Sequence, residues 1–347
     1  MQHPDLADWL RLLGCPGVGR TKARKLLQQF GTLKAAAASL PLRDETSALI
    51  EASQRWLDQS PMRTLLCLGD SDYPEALLES PDPPLVLFLE GRREQLSQLP
   101  AMAIVGSRHA TPQGLDHAEY FGAELAAAGF AVVSGLAMGI DGAAHRGALS
   151  KGASWAVLGS GLDVIHPRSH RALSERMIEH GLLISEHPPG TQPLPQHFPV
   201  RNRIIAGLSQ GCLVIEAAEK SGSLITARLA MEAGREVFAL PGPIRSPQSR
   251  GCHLLIQQGA KLVTALSDLL PELPPTAVPK PASSAETPAA IADPLLEALG
   301  WEPSSLESLQ DRLGWPTAQL LERLLTLELE GQVRRLAGGR FERSGLA

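Results

Sequence analysis

The middle of the chain alternates short apolar segments with amphipathic stretches, and this alternation limits the fold more than any other feature of the sequence. The apolar segments predict strands at 65–68, 85–89, 102–105, 130–134, 154–158, 182–185, 212–215 and 236–240. Helix-period stretches lie between most of them. Strands that are apolar on both faces and joined by helices predict βαβ units in an α/β fold with a mainly parallel, doubly wound sheet. Ligands of such sheets bind beyond the carboxyl ends of the strands.

A separate helical domain is predicted before this region, at residues 1–60. Gly17 and Gly19 lie between two predicted helices, and Arg20 and Lys22 follow them, which is the helix-hairpin-helix (SAM-like) pattern. Glycines at this position let backbone N–H groups approach a phosphate at the N-terminus of the second helix. The same glycines would also suit a tight turn in a domain that only packs, and the sequence leaves both interpretations open.

Two further segments follow the predicted core, which spans 61–270. Residues 271–290 are rich in Pro, Ala and Ser and predict a linker. Residues 291–347 predict three helices followed by a β-hairpin, which is the winged-helix plan. The third of these helices is rich in Leu and Glu, whereas a helix that faces DNA is normally basic. A protein-binding role is therefore favoured for this domain, and the arginines of the hairpin leave DNA binding as the alternative.

Composition and charge limit the class of protein. The chain has 347 residues, of which 44% are hydrophobic and 20% are charged, so a globular protein with a sizeable core is expected. A net charge of −5 argues against a uniformly basic coat and confines any nucleic-acid site to a local patch. No apolar stretch has the length of a membrane span, and the first residues do not resemble a signal peptide. The cysteines form no CxxC pair, so we expect a cytoplasmic protein with no metal site.

Two loops at predicted strand ends carry residue types that bind phosphate. A Gly-Ser-Arg sequence at 106–108 follows one strand and offers close backbone approach, a hydroxyl and a guanidinium. A Ser-Gly-Ser sequence at 221–223 follows another strand and begins a helix, whose N-terminus favours anions. Either loop alone would also fit a plain turn. The two together indicate a groove that follows a phosphate backbone.

Other polar residues extend this candidate groove. Arg201, Asn202 and Arg203 stand at the beginning of an apolar helical stretch, where two arginines suit phosphate oxygens. Arg168 follows another strand end and would either add a basic wall or lie in a surface turn. Phe198 would either stack on a base or anchor the neighbouring Pro-rich loop.

Acidic residues and one histidine near these loops allow a second kind of chemistry. Glu186 and Glu216 end or follow predicted strands, where carboxylates hold Mg²⁺ or act as bases. They would equally neutralise the two arginines of the apolar helix, and we prefer that interpretation because it needs no reaction. Asp141 and His145 lie four residues apart on one helix face, and we interpret them as a helix cap with a hydrogen-bonded histidine because no third ligand is near in sequence.

In this order, the motifs resemble those of the DNA-processing protein A family (DprA, also called Smf). The matching stretches cover about 65–265 and lie at 103–108, 134–141, 143–149, 158–163, 198–209, 221–227 and 239–242. The helical N-terminal domain and the predicted winged helix also resemble the family's three-part layout, although those two matches are weak by themselves.

The resemblance implies an extended Rossmann-like core that binds single-stranded DNA without sequence preference and has neither catalytic activity nor a cofactor. It also implies that the protein protects incoming strands in natural transformation, helps to load the RecA recombinase and forms homodimers, here near 251–270. Arg168 stands where many members have Lys. The expected DNA-binding residues are Gly106, Ser107, Arg108, Arg168, Phe198, Arg201, Asn202, Arg203, Ser221, Gly222 and Ser223.

An enzyme is the alternative hypothesis. A Rossmann-type nucleotide or nucleoside-phosphate hydrolase would use Glu216 and the loop at 221–223 on a single phosphate. Binding to a DNA backbone should weaken with salt, whereas a hydrolase should turn over a nucleotide.

Overall fold

The computed structural model describes residues 5–273 and 293–343, and the chain forms two compact units, residues 1–280 and 281–347. The first unit contains a helical domain and a nine-stranded sheet, and the second contains a three-stranded sheet with three helices. Within the described ranges, none of the helices combines the length and the apolar character that a membrane span requires.

Four helices form the N-terminal domain: α1 Leu6–Leu13, α2 Arg20–Phe30, α3 Leu33–Ala38 and α4 Asp44–Asp58. The turn between α1 and α2 contains Gly17, whose φ of 77° is in the left-handed region that favours glycine. Apolar side chains of these helices share one buried cluster with the outer strands of the sheet. In that cluster Trp56 packs edge-on against Phe88, with ring centroids 5.9 Å apart. The helical domain is therefore packed onto the sheet.

The sheet of the first unit is doubly wound. Its strands are β1 Arg63–Cys67, β2 Val86–Gly91, β3 Ala101–Val105, β4 Ala131–Ser134, β5 Ser154–Leu158, β6 Leu182–Ser185, β7 Gly211–Val214, β8 Glu236–Ala239 and β9 Lys261–Leu262. Their order is β1-β2-β6-β5-β4-β3-β7-β8-β9. The seven strands from β6 to β9 in that order pair in parallel. By contrast, β1 pairs with β2, and β2 with β6, in the antiparallel sense.

Helices cover both faces of this sheet. They are α5 Glu75–Leu78, α6 Gln95–Gln98, α7 Pro112–Ala127, α8 Ile140–Lys151, α9 Arg171–His180, α10 His197–Leu208, α11 Ser223–Glu232 and α12 Arg250–Gln257. Buried side chains of α7 and α8 pack on one face, and those of α10, α11 and α12 pack on the other. Because most central strands are buried on both faces, they appear in the sequence as continuous apolar runs.

The sheet reverses its direction of winding at β3, which lies between β4 and β7. Helix α7 leaves β3 on one face, while α11 leaves β7 on the other. The connections after β3 and β7 therefore diverge and leave a crevice at the carboxyl ends of these strands. Ligands of doubly wound sheets bind at this point.

The second unit is a winged helix. It consists of α13 Pro294–Leu299, β10 Ser304–Ser305, α14 Leu306–Leu313, α15 Thr317–Leu329, β11 Val333–Leu336 and β12 Arg340–Arg343. The strands form an antiparallel sheet in the order β10-β12-β11. Its core is a cluster of leucines from the three helices, closed by Val333 and Phe341 of the hairpin.

The predicted fold class is confirmed: a helical N-terminal domain precedes a mainly parallel, Rossmann-like sheet in the chain, and a winged helix follows it. The antiparallel pairing of β1 and β2 was not anticipated, because the pattern of alternating elements does not show that the only helix between these strands, α5, has just four residues. The predicted linker falls mostly on residues 274–290, which lie outside the described residues. The predicted domain boundaries stay predictions.

Candidate nucleic-acid interface

A cavity of about 610 Å³ is surrounded by the loops that follow β3, β4 and β7 and by the beginning of α10. The cavity lies at the crevice where the sheet reverses its winding. Most of the residues predicted for the site line this cavity: Gly106, Ser107, Arg108, Phe198, Arg201, Asn202, Ser221, Gly222 and Ser223. Arg168 and Arg203 do not line it.

The loop after β3 is fixed by backbone contacts on both sides. The Ser107 N–H donates to the carbonyl of Glu216, 2.7 Å away, and the Ser107 carbonyl accepts from the N–H of Ile140 at 3.1 Å. Gly106 leaves no room for a side chain, since a Cβ there would lie 2.6 Å from Cγ1 of Ile140. This loop is therefore held between the loops after β4 and β7.

Arg108 is the exposed cation of this first loop. Its guanidinium carbon lies 5.3 Å from the centroid of the Phe198 ring, within the range of a cation–π contact. Among the described residues, no salt bridge joins Arg108 to a carboxylate. Arg108 is exposed at the edge of the cavity, so its guanidinium is accessible to a ligand there.

The loop after β7 forms the opposite wall. The hydroxyls of Ser221 and Ser223 lie 2.7 Å apart, and the N–H of Ser223 donates to the Ser221 hydroxyl at 3.3 Å. A Cβ on Gly222 would meet no atom within 4 Å, so space remains open above this glycine. Lys220 lines the same wall with an exposed side chain. This wall offers hydroxyls, the first turn of α11 and a cation to a ligand.

Asp141 and His145 stabilise the loop after β4. The carboxylate of Asp141 accepts from the N–H groups of Gly135 and Ala137. Nε2 of His145 accepts from the N–H of Leu136, and Nδ1 bonds to the hydroxyl of Ser154, 2.7 Å away. Both ring nitrogens are thus occupied. The hydrogen-bonded histidine agrees with the preferred structural interpretation of the pair. The expected helix cap was wrong, because the N-cap of α8 is Gly139, and the Asp141 carboxylate binds the loop before the helix.

Arg201 is a buried cation beneath the cavity. Its side chain is only 5% exposed and donates to the carbonyls of Gly135, at 2.7 Å, and Val157. Burial lowers the pKa of Arg201 to about 10, and nearby Asp141 opposes that effect. Arg201 therefore stays protonated at neutral pH and contributes a fixed positive charge to the floor.

Arg203 points away from the cavity. It donates to Asp82 at 2.9 Å and to Glu186 at 2.6 Å. Arg20 of the helical domain binds the same two carboxylates, at 3.2 and 3.0 Å. The interpretation of Glu186 as a partner of Arg203 therefore agrees with this geometry, and both groups belong to the junction with the helical domain.

Glu216, in the loop after β7, is hydrogen-bonded to the loop after β3. Its carboxylate accepts from the N–H of Thr111 at 3.0 Å and from the Thr111 hydroxyl. Burial raises the pKa of Glu216, whereas the hydrogen bonds from Thr111 lower it. The sequence-based expectation that Glu216 neutralises Arg201 or Arg203 was wrong, because those arginines bind other groups.

The remaining predicted residues lie outside the cavity. Arg168 is exposed on a 3-10 turn, Arg168–His170. Two residues before it, the His166 ring lies 5.9 Å from that of Phe198. Gly17 and Gly19 belong to the turn before α2 and are not part of the cavity lining.

Sequence reasoning missed several residues of the lining. Lys220 and Gln248 contribute polar groups, and Ile225 contributes an apolar side chain that is 42% exposed. Lys220 could have been found, since it directly precedes the Ser-Gly-Ser loop. Gln248 belongs to the loop after β8, and nothing in its local sequence indicates the contact.

Comparisons with known proteins agree on one family. The family model described as DNA recombination-mediator protein A matches residues 64–274. The models of the DprA winged helix domain and the DprA-like N-terminal HHH domain match residues 279–339 and 3–50. The chain is 44% identical to Protein Smf of Escherichia coli K12 over 328 residues, which cover 90% of this chain and 86% of that protein.

Solved structures show the same likeness. DNA processing protein A (DprA) of Streptococcus pneumoniae superposes with a TM-score of 0.68 at 37% identity, over 80% of this chain and all of that chain. A structure of DNA processing protein A from Helicobacter pylori, described by its single-stranded DNA binding mode, gives a TM-score of 0.54 at 29% identity, over 60% of this chain and 94% of that chain.

Proposed function

Because this chain belongs to the DNA recombination-mediator protein A family, we propose that it binds single-stranded DNA by the sugar–phosphate backbone at the cavity between the loops after β3 and β7. The observation that carries the proposal is the convergence of Arg108, Lys220 and three serines on an open crevice. Groups of this kind bind phosphate oxygens whatever the base. The binding is therefore expected to be independent of sequence.

The two walls of the cavity offer different groups to a phosphate. Arg108 supplies a planar donor fork that suits two phosphate oxygens. Lys220 and the Ser221–Ser223 loop face it with a point charge, hydroxyls and a helix N-terminus. Arg201 contributes electrostatically from the floor, where its Nη1 donates to two backbone carbonyls and its Nε to the Asn202 side chain. We assign direct contact to Arg108, Ser107 and the loop at 221–223, and only an indirect role to Arg201.

Phe198 gives the site a surface for a base. Its ring lines the cavity and lies next to Arg108. A base stacked on such a ring contributes about 1–3 kcal/mol without requiring a particular sequence. Arg168 and Arg203 would contact only a strand that extends beyond the cavity, and Arg203 would first have to leave Asp82 and Glu186.

The biological role that we infer rests on family membership. We propose that the protein protects single strands that enter during natural transformation and helps to load the RecA recombinase on them. We also propose that it works as a homodimer in the cytoplasm. For the dimer, support comes from the outer strand β9 and from α12, where Leu262 and Leu254 are 46% and 36% exposed.

We infer that the protein has no catalytic activity. The hydrolase hypothesis needed Glu216 as a base near a single phosphate. Glu216 is not part of the cavity lining, and its oxygens accept hydrogen bonds from Thr111. A carboxylate engaged in this way holds a loop and is poorly placed to take a proton from water.

The test is fluorescence anisotropy of the full chain with labelled oligo-dT and a matched duplex, over a series of salt concentrations. We expect tighter binding to the single strand, with a log–log salt slope of about −0.7 per phosphate neutralised. Arg108→Ala should weaken binding without changing the melting temperature. The matched control is Arg176→Ala, an exposed arginine on α9 outside the cavity.

Three results would count against the proposal. The first is unchanged affinity in Arg108→Ala with an unchanged melting temperature, and the second is equal affinity for the duplex. The third is turnover of a nucleotide that is lost in Glu216→Gln, which would favour the hydrolase.

A further inference from the structure

Helix α15 of the winged helix carries leucines on two sides. One set is buried in the core of the domain and consists of Leu320, Leu324 and Leu327. The other set is Leu321, Leu325 and Leu329, whose exposed fractions are 47, 56 and 82%. A helix that is apolar on both sides is normally covered on both sides. The second set, which we call the leucine stripe, has no cover among the described residues.

The leucine stripe has acidic borders. Its members are four residues apart, so they lie on one side of the helix along about 12 Å of its axis. At 100° per residue, Glu322 lies along one border of the stripe and Glu328 along the other, and both are exposed. Arg323 is the helix's basic residue, and it binds Asp293 at 2.7 Å. The surface is therefore apolar in the middle and negative on both edges.

This charge pattern disfavours two occupants. The third helix of a winged helix enters a DNA groove when it is basic, whereas glutamates here would repel the phosphates. A second copy of α15 would place glutamates opposite glutamates, and such like-charge contacts oppose association. A positively charged partner meets neither objection.

We propose that the leucine stripe is a docking surface for a basic amphipathic helix of a partner protein. Apolar residues of that helix, at a spacing of three or four, would cover Leu321, Leu325 and Leu329. Its Lys or Arg residues would meet Glu322 and Glu328. The length of the stripe fits two to three turns of the partner. The stripe belongs to the second unit and the cavity is lined by residues of the first, so the inference does not depend on the proposed DNA binding.

Site-specific photo-crosslinking tests the occupant. The full chain is expressed in its own host with a photoreactive amino acid in place of Leu325. The cells are irradiated, and the peptide crosslinked to position 325 is sequenced by mass spectrometry. The matched control carries the same group at Leu42, which is equally exposed at 56%. We expect the probe at 325 to capture, above the control, a peptide of another protein with positive net charge and helically spaced apolar residues.

Each other outcome would overturn the proposal. These outcomes are an adduct with DNA, a peptide of this same chain, an acidic peptide, a peptide without helical spacing, or no enrichment over the control at Leu42. The first would identify a nucleic-acid surface, and the second a contact within or between copies of this chain.

A quantitative test follows from the captured peptide. Anisotropy of its labelled synthetic form with the full chain should show a loss of about tenfold or more in Leu325→Glu, the size expected for a residue central to an interface. The double variant Glu322→Lys, Glu328→Lys should also bind weakly. Leu42→Glu should bind normally, and all variants should keep the melting temperature and the oligo-dT affinity. Normal binding of the peptide by Leu325→Glu would reject the surface.

Discussion

At the scale of single residues, two arginines of one helix have opposite roles. Arg201 and Arg203 are two positions apart on α10, about 200° around the helix axis, and so point in different directions. Arg201 lies under the cavity, bonded to carbonyls, and Arg203 binds two carboxylates at the junction with the helical domain. The motif alone could not assign these roles, because both side chains are chemically the same and only the packing of α10 separates them.

Replacing Arg201 is expected to damage folding before it damages binding. Arg201→Ala would leave buried Asp141 and two carbonyls without their cation, at a cost of about 3–5 kcal/mol. Urea denaturation should show this loss, and Arg108→Ala should show none. Arg201→Lys keeps the charge without the donor fork, so its loss of stability should lie between those of Arg201→Ala and Arg108→Ala. Equal stability of Arg201→Ala and the parent chain would contradict the structural role.

Two glycines of the cavity should respond differently to alanine. A Cβ at Gly106 would lie 2.6 Å from Ile140 and 2.8 Å from the Glu216 carbonyl, so Gly106→Ala should lose about 1–3 kcal/mol of stability. A Cβ at Gly222 meets nothing within 4 Å, so Gly222→Ala should melt like the parent. Thermal melts and oligo-dT anisotropy measure both effects. Weaker binding by Gly222→Ala with normal melting would indicate that a ligand occupies the open space, whereas a lower melting temperature would refute the prediction.

A buried histidine, His145, and a half-buried one, His187, are expected to make the fold sensitive to acid. Burial lowers the pKa of His145 to about 3 and that of His187 to about 4. As pH falls below about 6.5, the unfolded chain takes up these protons first, so stability declines by about 1.4 kcal/mol per pH unit for each proton. This decline continues until the folded-state pKa values are reached.

The pH dependence is measurable by denaturation between about pH 7 and pH 4. His145→Gln should give a shallower decline than the parent, and His109→Gln, which changes an exposed histidine, should not. An identical slope in His145→Gln and the parent would show that His145 does not contribute.

At the scale of elements, the strands were predicted well and their connections less so. Central strands such as β3 and β5 are buried throughout, and a continuous apolar run between polar loops marks such a strand in the sequence. Contacts between loops leave no such pattern. The bond from Thr111 to Glu216 spans 105 positions, and no local feature of either residue indicates the other.

Thr111 is expected to support binding without touching DNA. Its hydroxyl accepts from the N–H of Gly114 at the beginning of α7 and donates to Glu216. Thr111→Val should cost about 0.5–2 kcal/mol as a lost helix cap and should weaken oligo-dT binding, because the loop that carries Arg108 loses its anchor.

Thr32→Val is the matched control for this prediction. Thr32 caps α3 by accepting from the N–H of Ala35, far from the cavity in the helical domain. Thr32→Val should lower stability in the same way as Thr111→Val and leave oligo-dT binding unchanged. Equal binding by the two variants would show that the Thr111 anchor does not affect the site.

At the scale of the whole molecule, the cavity belongs to one unit. All of its lining residues lie between 105 and 248, within the first compact unit. Ending the chain after residue 273 should therefore keep most of the affinity for oligo-dT. Anisotropy with the shortened chain tests this, with circular dichroism as the control for folding. A large loss by a folded core would place DNA contacts on the winged helix.

The junction between α2 and the sheet limits how this chain can exchange domains with its relatives. Five charges from four segments meet there: Arg20 and Arg24 of α2, Asp82, Glu186 and Arg203. A chimera with a helical domain that lacks the first two arginines would leave two carboxylates facing one guanidinium beside the helix that forms the cavity. Exchange by recombination or by design should therefore succeed only when the arginines and the carboxylates are transferred together, so the helical domain and the core are expected to be inherited as a pair.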